Sequence, residues 1–331
     1  MFNFFDNYYS IILSRYLSFQ ILSSFAVYLF NNKKMLCLSN ILFIIGIIVI
    51  IKYILKIVDF IIKFVIKSQN DLKEKYGDGY VIITGGSRGI GLSFAKEFLK
   101  KNFKVCLISS NKEKLEKVKK ELLDLYPNSI IKVIDINLDI FYNEENIKDL
   151  EQRITTELKG EEISILLNNA GVAYRGKFDV IPYKNVSTMI NVNIYGLTML
   201  TKIIIEYMKK RQKKSLIIGS GSFDAQFRCT TRVVYCSTKS YVEAFYEGLA
   251  RDFPDKLDFT LIEIGPVRTD MNTKDYPFMC SPDEFASECL NLVGKYKFIQ
   301  GCRKHAILKG LISLPLAGTI SRYFDKKITI D

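Results

Sequence analysis

The residues whose types and spacing best suit chemistry are Tyr235 and Lys239, in the string Tyr-Cys-Ser-Thr-Lys. Being four positions apart, they share one face of a helix. A phenol titrates at about pH 10 and is a poor acid or base near neutrality. A neighbouring ammonium lowers the pKa of the phenol and suits it to proton transfer. The pair therefore predicts an acid–base site, although the same spacing also occurs by chance in helices that do no chemistry.

A second group of residues has the pattern of an anion site. Tyr80–Thr84 is a short apolar run typical of a buried strand, and apolar residues at helical spacing begin at Ile90. The turn between them contains Gly85, Gly86, Gly89 and Gly91. A helix N-terminus after such a turn offers free N–H groups and the positive end of its dipole to a phosphate. The turn predicts a nucleotide site, and a glycine-rich turn without a ligand is the alternative.

The string from Thr84 to Gly91, T-G-G-S-R-G-I-G, resembles the nucleotide-binding turn of the short-chain dehydrogenase/reductase family. Later motifs resemble the same family: N-N-A-G at 168–171, Asn193 in a long helical segment, and the Tyr–Lys pair. The resemblance implies that Asn193 holds a relay water through its backbone. It also implies a nicotinamide cofactor bound by Thr84, Gly85, Ser87, Arg88, Gly89, Ile90, Gly91, Asn169, Ala170, Gly171, Tyr235, Lys239, Pro266 and Thr269.

Two serines compete for the role of the residue that polarises a substrate carbonyl. Ser220 and Ser222 both follow the apolar run that ends at Gly219. The separation of Ser222 from Tyr235 matches the usual spacing in the family. Ser220 aligns better with the strand but requires a longer loop. Both remain candidates, with a slight preference for Ser222.

The residues after the second and third predicted strands bear on the choice of cofactor. Ser110 stands where an enzyme that prefers NAD often has an acidic residue for the ribose hydroxyl. Without that carboxylate nothing repels a 2′-phosphate, and Arg88 is able to contact it, so NADP(H) is predicted over NAD(H). Relatives often have an arginine at Ser110, and this chain lacks it. By resemblance, Asp135 contacts the adenine, and a solvated Asp135 is the alternative.

The elements that position these residues alternate between strand and helix from residue 78 onward. This alternation predicts a doubly wound parallel α/β sheet of the Rossmann type, with ligands at the carboxyl ends of its strands. We expect strands at 80–84, 103–108, 130–134, 163–167, 216–219 and 259–264, and helices at 112–125, 144–158, 183–210 and 235–252. Residues 78–270 are predicted to form this domain, and residues 271–331 a substrate lid and an apolar tail.

The first 75 residues have a different composition and predict a membrane anchor. Residues 35–51 carry no charge, which suits a short membrane span. From Lys52 to Lys67 the charged residues share one helical face, which suits a helix in the membrane interface. A second span at 16–32 and a buried soluble helix pair are alternatives. The greater density of lysine after the span predicts a main domain that faces the cytoplasm.

Composition excludes some classes of protein. The chain has 331 residues, 48% of them hydrophobic, which is unlike a disordered protein. Its seven cysteines lie far apart without a Cys-x-x-Cys pair, so we predict reduced thiols and no metal site. The net charge of +12 accompanies no nucleic-acid motif. It predicts a lysine-rich solvated surface or attraction to an anionic membrane.

A narrower resemblance covers nearly the whole chain. The N-terminal segment, the α/β domain and the tail at 305–316 are similar to the membrane-bound very-long-chain 3-oxoacyl-CoA reductases and their 17β-hydroxysteroid dehydrogenase relatives. This implies an NADPH-dependent reductase of a lipophilic ketone at the endoplasmic reticulum, and is compatible with a homodimer. A long-chain 3-oxoacyl-CoA is the first substrate expected, and a steroid or sphingoid ketone the second. A membrane-bound protein that kept the fold but lost the chemistry is the rival. We expect the apolar tail either to contact the membrane or a hydrophobic substrate, or to pack as a closing helix of the core. His305 is not expected to be catalytic.

Overall fold

The computed structural model describes residues 38–66, 70–140, 143–227 and 231–313. The chain divides into two compact units, Met1–Ser68 and Gln69–Asp331. The boundary lies a few residues before the predicted end of the anchor region at residue 75. The second span predicted at 16–32 lies outside the described residues.

The first unit contains one long apolar helix, α1, at Leu38–Phe64. Within Asn40–Phe64, the most apolar stretch of 18 residues has a mean hydropathy of 2.8, and none of that stretch is buried within the protein. At about 1.5 Å per residue, 27 residues exceed the hydrocarbon thickness of a bilayer. The sequence predicts that a span ends at residue 51 and that an interfacial helix begins at residue 52. Helix α1 instead continues through both residues without a break. Lys63 lies 2.8 Å from Asp59, one turn earlier, and Lys67 lies outside the described residues.

The second unit is built on a sheet of seven parallel strands in the order β3-β2-β1-β4-β5-β6-β7. Strands β1, β4 and β5 are buried along their whole length, as expected of a sheet covered on both faces. The strands are β1 Tyr80–Thr84, β2 Val105–Ser109, β3 Ile131–Asp135, β4 Ile163–Asn168, β5 Ser215–Ser220, β6 Leu257–Ile262 and β7 Phe298–Ile299. The predicted Rossmann-type sheet is confirmed.

The helices connect consecutive strands and cover both faces of the sheet. The long segment between β4 and β5 is α-helical at both ends, and a π-helical turn, Asn191–Gly196, joins the two halves. In the most apolar part of this segment 61% of the residues are buried. The segment is therefore a core helix, although it is long and apolar enough to cross a membrane. The helices are α2 Leu72–Tyr76, α3 Gly89–Lys100, α4 Lys112–Leu125, α5 Glu144–Leu158, α6 Tyr183–Ile190, α7 Leu197–Met208, α8 Asp224–Phe227, α9 Val233–Asp252, α10 Pro282–Leu290 and α11 Arg303–Ile312.

The region after residue 270 is integrated into the second unit. Strand β7 extends the sheet beside β6, and Phe285 of α10 packs edge-on against Phe94 of α3 with ring centroids 6.3 Å apart. Helix α11 places Leu308 and Ile312 beside the main cleft. The tail therefore contributes to the core as well as to the cleft, and residues 314–320 of the predicted tail lie outside the described residues.

Candidate active site

A cleft of about 800 Å³ opens at the carboxyl ends of the strands. The order of strands reverses between β1 and β4, and ligands of open α/β sheets bind at such points. Most of the predicted site residues line this one cleft. They are Gly85, Ser87, Arg88, Gly89, Ile90, Ser110, Asn169, Ala170, Gly171, Ser220, Ser222, Tyr235, Lys239, Pro266 and Thr269.

The hydroxyl of Ser222 lies near the phenol of Tyr235 and acts to lower its pKa, and both side chains line the cleft. Helix α9 supplies Tyr235, and the turn after β5 supplies Ser222. Ser220 has a different role, because its backbone carbonyl oxygen accepts a 2.8 Å hydrogen bond from Nζ of Lys239. Both serines line the cleft, and the geometry favours Ser222 as the one whose side chain acts beside the tyrosine.

The electrostatics of the pair differ from the expectation. Burial, followed by the charge of Asp224, raises the pKa of Tyr235 to about 12, while the Ser222 hydrogen bond acts in the opposite direction. Burial also lowers the pKa of Lys239 to about 8. The ammonium lies 5.8 Å from the centre of the tyrosine ring. Desolvation of the phenolate thus outweighs attraction to the lysine, so the predicted lowering of the pKa of Tyr235 is not seen.

Asn193 lies behind the cleft, in the π-helical turn. Its side chain is held by the backbone of Val172: Oδ1 accepts from the N–H and Nδ2 donates to the C=O, both over 2.9 Å. Nδ2 also donates to the hydroxyl of Thr238, which lies between Tyr235 and Lys239 in sequence, over 3.1 Å. Asn193 therefore fastens the segment after β4 to helix α9. A π-turn inside an α-helix is frequent at functional sites.

The glycine turn has the geometry that close approach to a phosphate requires. Gly85 and Gly89 have φ angles of +65° and +54°, in the left-handed region that residues with a side chain rarely adopt. A Cβ on Gly91 would lie 2.4 Å from the carbonyl oxygen of Gly85. Arg88 is the N-cap of α3, and its side chain makes no capping hydrogen bond there. The free N–H groups and the helix dipole suit a pyrophosphate.

Thr84 and Gly91 support the turn without lining the cleft. The hydroxyl oxygen of Thr84 accepts from the backbone N–H groups of Asn169 and Ala170, each over 2.9 Å. Asn169 donates to the carbonyl of Thr84 over 3.0 Å. These bonds tie the end of β1 to the N-N-A-G motif after β4, so Thr84 helps to set the shape of the turn.

One end of the cleft contains the residues that the sequence assigns to the adenosine side of a nucleotide. Ser110 lines it directly, and the hydroxyls of Ser87 and Ser109 lie 3.0 Å apart. Arg88 lies at the rim and donates to the carboxylate of Asp270 over 3.0 Å. Both partners are largely exposed, at 66% and 75%, so their ion pair is weak and the guanidinium is available to a second anion.

Asp135 does not line the cleft, and its contact with adenine stays a prediction. Its side chain is exposed, and its carboxylate lies 4.0 Å from the guanidinium of Arg153 on α5. Arg153 also donates to the backbone carbonyl of Asp135 over 3.2 Å. The next residues, Ile136 and Asn137, line the cleft instead.

Sequence reasoning missed the residues on the substrate side of the cleft. Arg232 and Asp224 form an ion pair over 2.5 Å beside Tyr235, and Arg175 lies 3.5 Å from the hydroxyl of Tyr276 across the opening. Apolar side chains of Met271, Leu308 and Ile312 complete the wall. Asp224 begins the short helix α8 and Arg232 is the N-cap of α9, while the others come from loops and the C-terminal helix, and none of them belongs to a motif that the sequence reveals.

Comparison with known proteins gives the same picture. Residues 79–278 match the family model of the short-chain dehydrogenases. Very-long-chain 3-oxoacyl-CoA reductase of Anas platyrhynchos is 30% identical over 73% of this chain and 77% of its own. Putative steroid dehydrogenase 3 of Caenorhabditis elegans is 28% identical over 74% of this chain and 78% of its own.

A solved structure shares the fold. The short-chain dehydrogenase from Sphingobium yanoikuyae in complex with NADPH has a TM-score of 0.60 and 20% identity, and the match covers 76% of this chain and 94% of that one. The parallel sheet, the glycine turn and the match over residues 79–278 agree. The chain belongs to the short-chain dehydrogenase family and is an oxidoreductase of that type.

Proposed function

We propose that this protein is a membrane-anchored, NADPH-dependent reductase of a lipophilic ketone, and that its substrate is a long-chain 3-oxoacyl-CoA. The observation that carries the chemical part is that Ser222, Tyr235 and Lys239 line one cleft, with the hydroxyl of Ser222 near the phenol of Tyr235. The names of the related proteins support the substrate class.

The residues of the chain divide the reaction between them. A bound nicotinamide supplies the hydride to the carbonyl carbon. Ser222 donates a hydrogen bond to the carbonyl oxygen, and Tyr235 delivers the proton as that oxygen becomes an alcohol. A pKa of about 12 keeps Tyr235 protonated near neutrality, which is the form that reduction requires. Lys239 binds the ribose of the nicotinamide. Asn193 positions the proton relay through the hydrogen bonds of its side chain to Val172 and Thr238.

The preference for NADPH rests on the adenosine end of the cleft. Ser110 leaves room for a 2′-phosphate without an acidic side chain at its position. Arg88 is the cation at the rim that is able to pair with this phosphate. NADPH then binds more tightly than NADH because its 2′-phosphate makes one additional charge–charge contact, with Arg88.

The proposed substrate rests on several independent features. Helix α1 has the length and composition of a membrane anchor, and α11 brings apolar side chains to the cleft. The net charge of +12 suits an acyl-CoA, whose phosphates are anionic. The anchor and the relatives' names also support a place in the endoplasmic reticulum membrane, with the catalytic unit facing the cytosol. A steroid ketone is the second candidate, favoured by the relatives named steroid dehydrogenases, and a sphingoid ketone remains as an alternative.

The experiment is oxidation of NADPH and of NADH by detergent-solubilised protein with a 3-oxoacyl-CoA, beside the Tyr235→Phe variant. We expect turnover with NADPH that the variant loses, while NADPH binding, measured by fluorescence, persists. A steroid or sphingoid ketone is then tested in the same assay. Tight NADPH binding with no reduction of any of these ketones would favour a protein that kept the fold and lost the chemistry.

A further inference from the structure

Two cysteines and a histidine form a buried cluster in which Cys280 comes from the segment before α10, and Cys302 and His305 lie three residues apart at the start of α11. Cys280, Cys302 and His305 are 2%, 1% and 0% exposed. Their sulfur and ring nitrogen atoms all lie within 4.8 Å of one another. Cys280 ends the segment that crosses the cleft, Cys302 is the N-cap of α11, and His305 lies in the first turn of that helix. None of the three lines the cleft.

The spacing of these atoms suits a metal ion, but the hydrogen bonds of His305 do not. The two sulfur atoms are 3.8 Å apart, and Nε2 lies 3.6 Å from the sulfur of Cys280, as tetrahedral zinc with ligands at about 2.0–2.3 Å would require. However, Nδ1 accepts from the N–H of Gly265 over 3.2 Å, and Nε2 donates to the carbonyl of Pro266 over 3.0 Å. The proton is therefore on Nε2, the only nitrogen that faces the thiols. A metal there would move this proton to Nδ1, against the N–H of Gly265.

The two cysteines instead have the asymmetry of a reactive dithiol. Hydrogen bonding to Cys280 lowers the pKa of Cys302, and contacts with His305 add to this effect against the opposing effect of burial. A cysteine at a helix N-terminus also gains from the helix dipole. The pKa of Cys280 is raised by the same hydrogen bond. Cys302 is thus the cysteine that ionises more readily to a thiolate. The thiol of Cys280 lies 3.8 Å away, close enough to react with an oxidised Cys302.

We propose that Cys280 and Cys302 form a reversible disulfide when a hydroperoxide reaches them. The thiolate of Cys302 attacks one peroxide oxygen, the O–O bond breaks, hydroxide leaves, and Cys302 becomes a sulfenic acid. The sulfur of Cys280 then attacks the sulfur of Cys302, the S–O bond breaks, and the thiol proton and hydroxyl leave as water. Two thiols are oxidised and one hydroperoxide is reduced. An external thiol reverses the bond by exchange.

The disulfide would act on the loop that carries Pro266. Cys280 bonds this loop through its backbone N–H, which lies 3.3 Å from the carbonyl oxygen of Pro266, and His305 holds the same oxygen. Closing the sulfur–sulfur distance to about 2 Å requires movement of Cys280 or of the start of α11. Since Pro266 lines the cleft, oxidation is expected to weaken cofactor binding several-fold.

The test treats the full-length protein in detergent with hydrogen peroxide, blocks the remaining thiols, and maps disulfides by mass spectrometry. We expect one cross-linked peptide joining Cys280 to Cys302, which dithiothreitol removes. Cys280→Ala and Cys302→Ala should lack it, and Cys106→Ala, which changes a buried thiol in β2, should keep it. The wild-type cross-link and its reversal suffice if either cluster variant fails to fold.

Three results would overturn the proposal. The first is full alkylation of both thiols after peroxide treatment and denaturation. The second is a cross-link that joins Cys302 to Cys289 instead. The third is stoichiometric zinc in the purified protein that is absent from Cys302→Ala, because that result assigns the cluster to a metal. None of these outcomes depends on the cofactor or the substrate of the enzyme.

Discussion

The ammonium of Lys239 is bound to the backbone carbonyl of Ser220 over 2.8 Å, in a contact that is shielded from solvent. A main-chain carbonyl needs no particular side chain, so this contact survives most changes at position 220. The hydroxyl near the phenol of Tyr235 is that of Ser222. We therefore expect the two serines to act differently, Ser220 through its backbone and Ser222 through its side chain.

Replacing the two serines separately tests this division. Ser222→Ala removes the hydrogen bond to the reacting oxygen and should lower kcat by about 10²-fold or more. Ser220→Ala keeps the carbonyl that holds Lys239 and should stay within several-fold of the wild type. Steady-state kinetics with the preferred ketone gives both numbers. The reverse order of effects would assign the reaction to Ser220.

The pH dependence of the reduction rate should report the loss of the proton from Lys239. Burial lowers its pKa to about 8, so the ammonium is lost as the pH rises through that value. Tyr235 keeps its proton, because its pKa is raised to about 12. We therefore expect kcat/KM for reduction to be steady below about pH 8 and to fall above it. A profile that stays flat well above this pH would show that the cation is not required.

Arg88 should determine the preference between the two nicotinamide cofactors. Arg88→Ala removes the cation at the rim and should raise KM for NADPH by about 10-fold or more, because charge-assisted hydrogen bonds contribute about 1.5–3 kcal/mol. KM for NADH should change little. Asp270→Ala is the matched control, since it frees the guanidinium from its 3.0 Å ion pair and should leave KM for NADPH equal or lower. Equal losses with both cofactors in Arg88→Ala would argue against contact with a 2′-phosphate.

The glycine turn should tolerate no side chain at position 91. Gly91→Ala places a methyl group 2.4 Å from the carbonyl oxygen of Gly85 and 2.6 Å from Nδ2 of Asn169. We expect a loss of about 1–3 kcal/mol in stability together with loss of nucleotide binding. Gly248→Ala in α9 is the control, because its methyl group meets nothing within 4 Å and alanine favours the helix. Thermal unfolding with and without NADPH measures both effects.

Helix α1 should hold the protein in the membrane. We expect wild-type protein to resist carbonate extraction and to require detergent. Ile47→Arg and Ile54→Arg together place two charges in the apolar helix, at about 2.5–3.5 kcal/mol each at the centre of a span. This variant should be extracted by carbonate, whereas Ile307→Arg on α11 should remain bound. Release of wild-type protein by carbonate would leave α1 as a peripheral element.

The central α/β arrangement could be predicted because each strand is apolar and is followed by a recognisable motif. The helix bounds Lys112–Leu125 and Glu144–Leu158 are those observed, because their apolar stripes are regular and an Asn caps each one. The predicted strand at 80–84 has the observed bounds, and the other five predicted strands differ from the observed ones by one or two residues at an end, since a buried run has no periodic pattern to mark its ends. Strand β7 was missed because two residues carry no signal.

The site could be predicted as a set of residues but not as a geometry. Spacing could not show that Lys239 bonds the backbone of Ser220, or that Asp135 points to Arg153, since both contacts depend on tertiary packing. The π-turn around Asn193 also left no trace, because its residues fit an ordinary helix. Cys280 and Cys302 came together only through the fold of the C-terminal region.

The strand order has a consequence for synthesis at the ribosome. Strand β1 pairs with β4 through Tyr80 and Ile163, so the centre of the sheet cannot close until two further strands and three helices have left the exit tunnel. Non-local pairing of this kind slows folding and exposes apolar edges in the meantime. Helix α1, which precedes everything else in the described chain, emerges long before then. If α1 anchors the protein in a membrane, as proposed, the nascent polypeptide is tethered to that membrane while the catalytic unit is still unfolded.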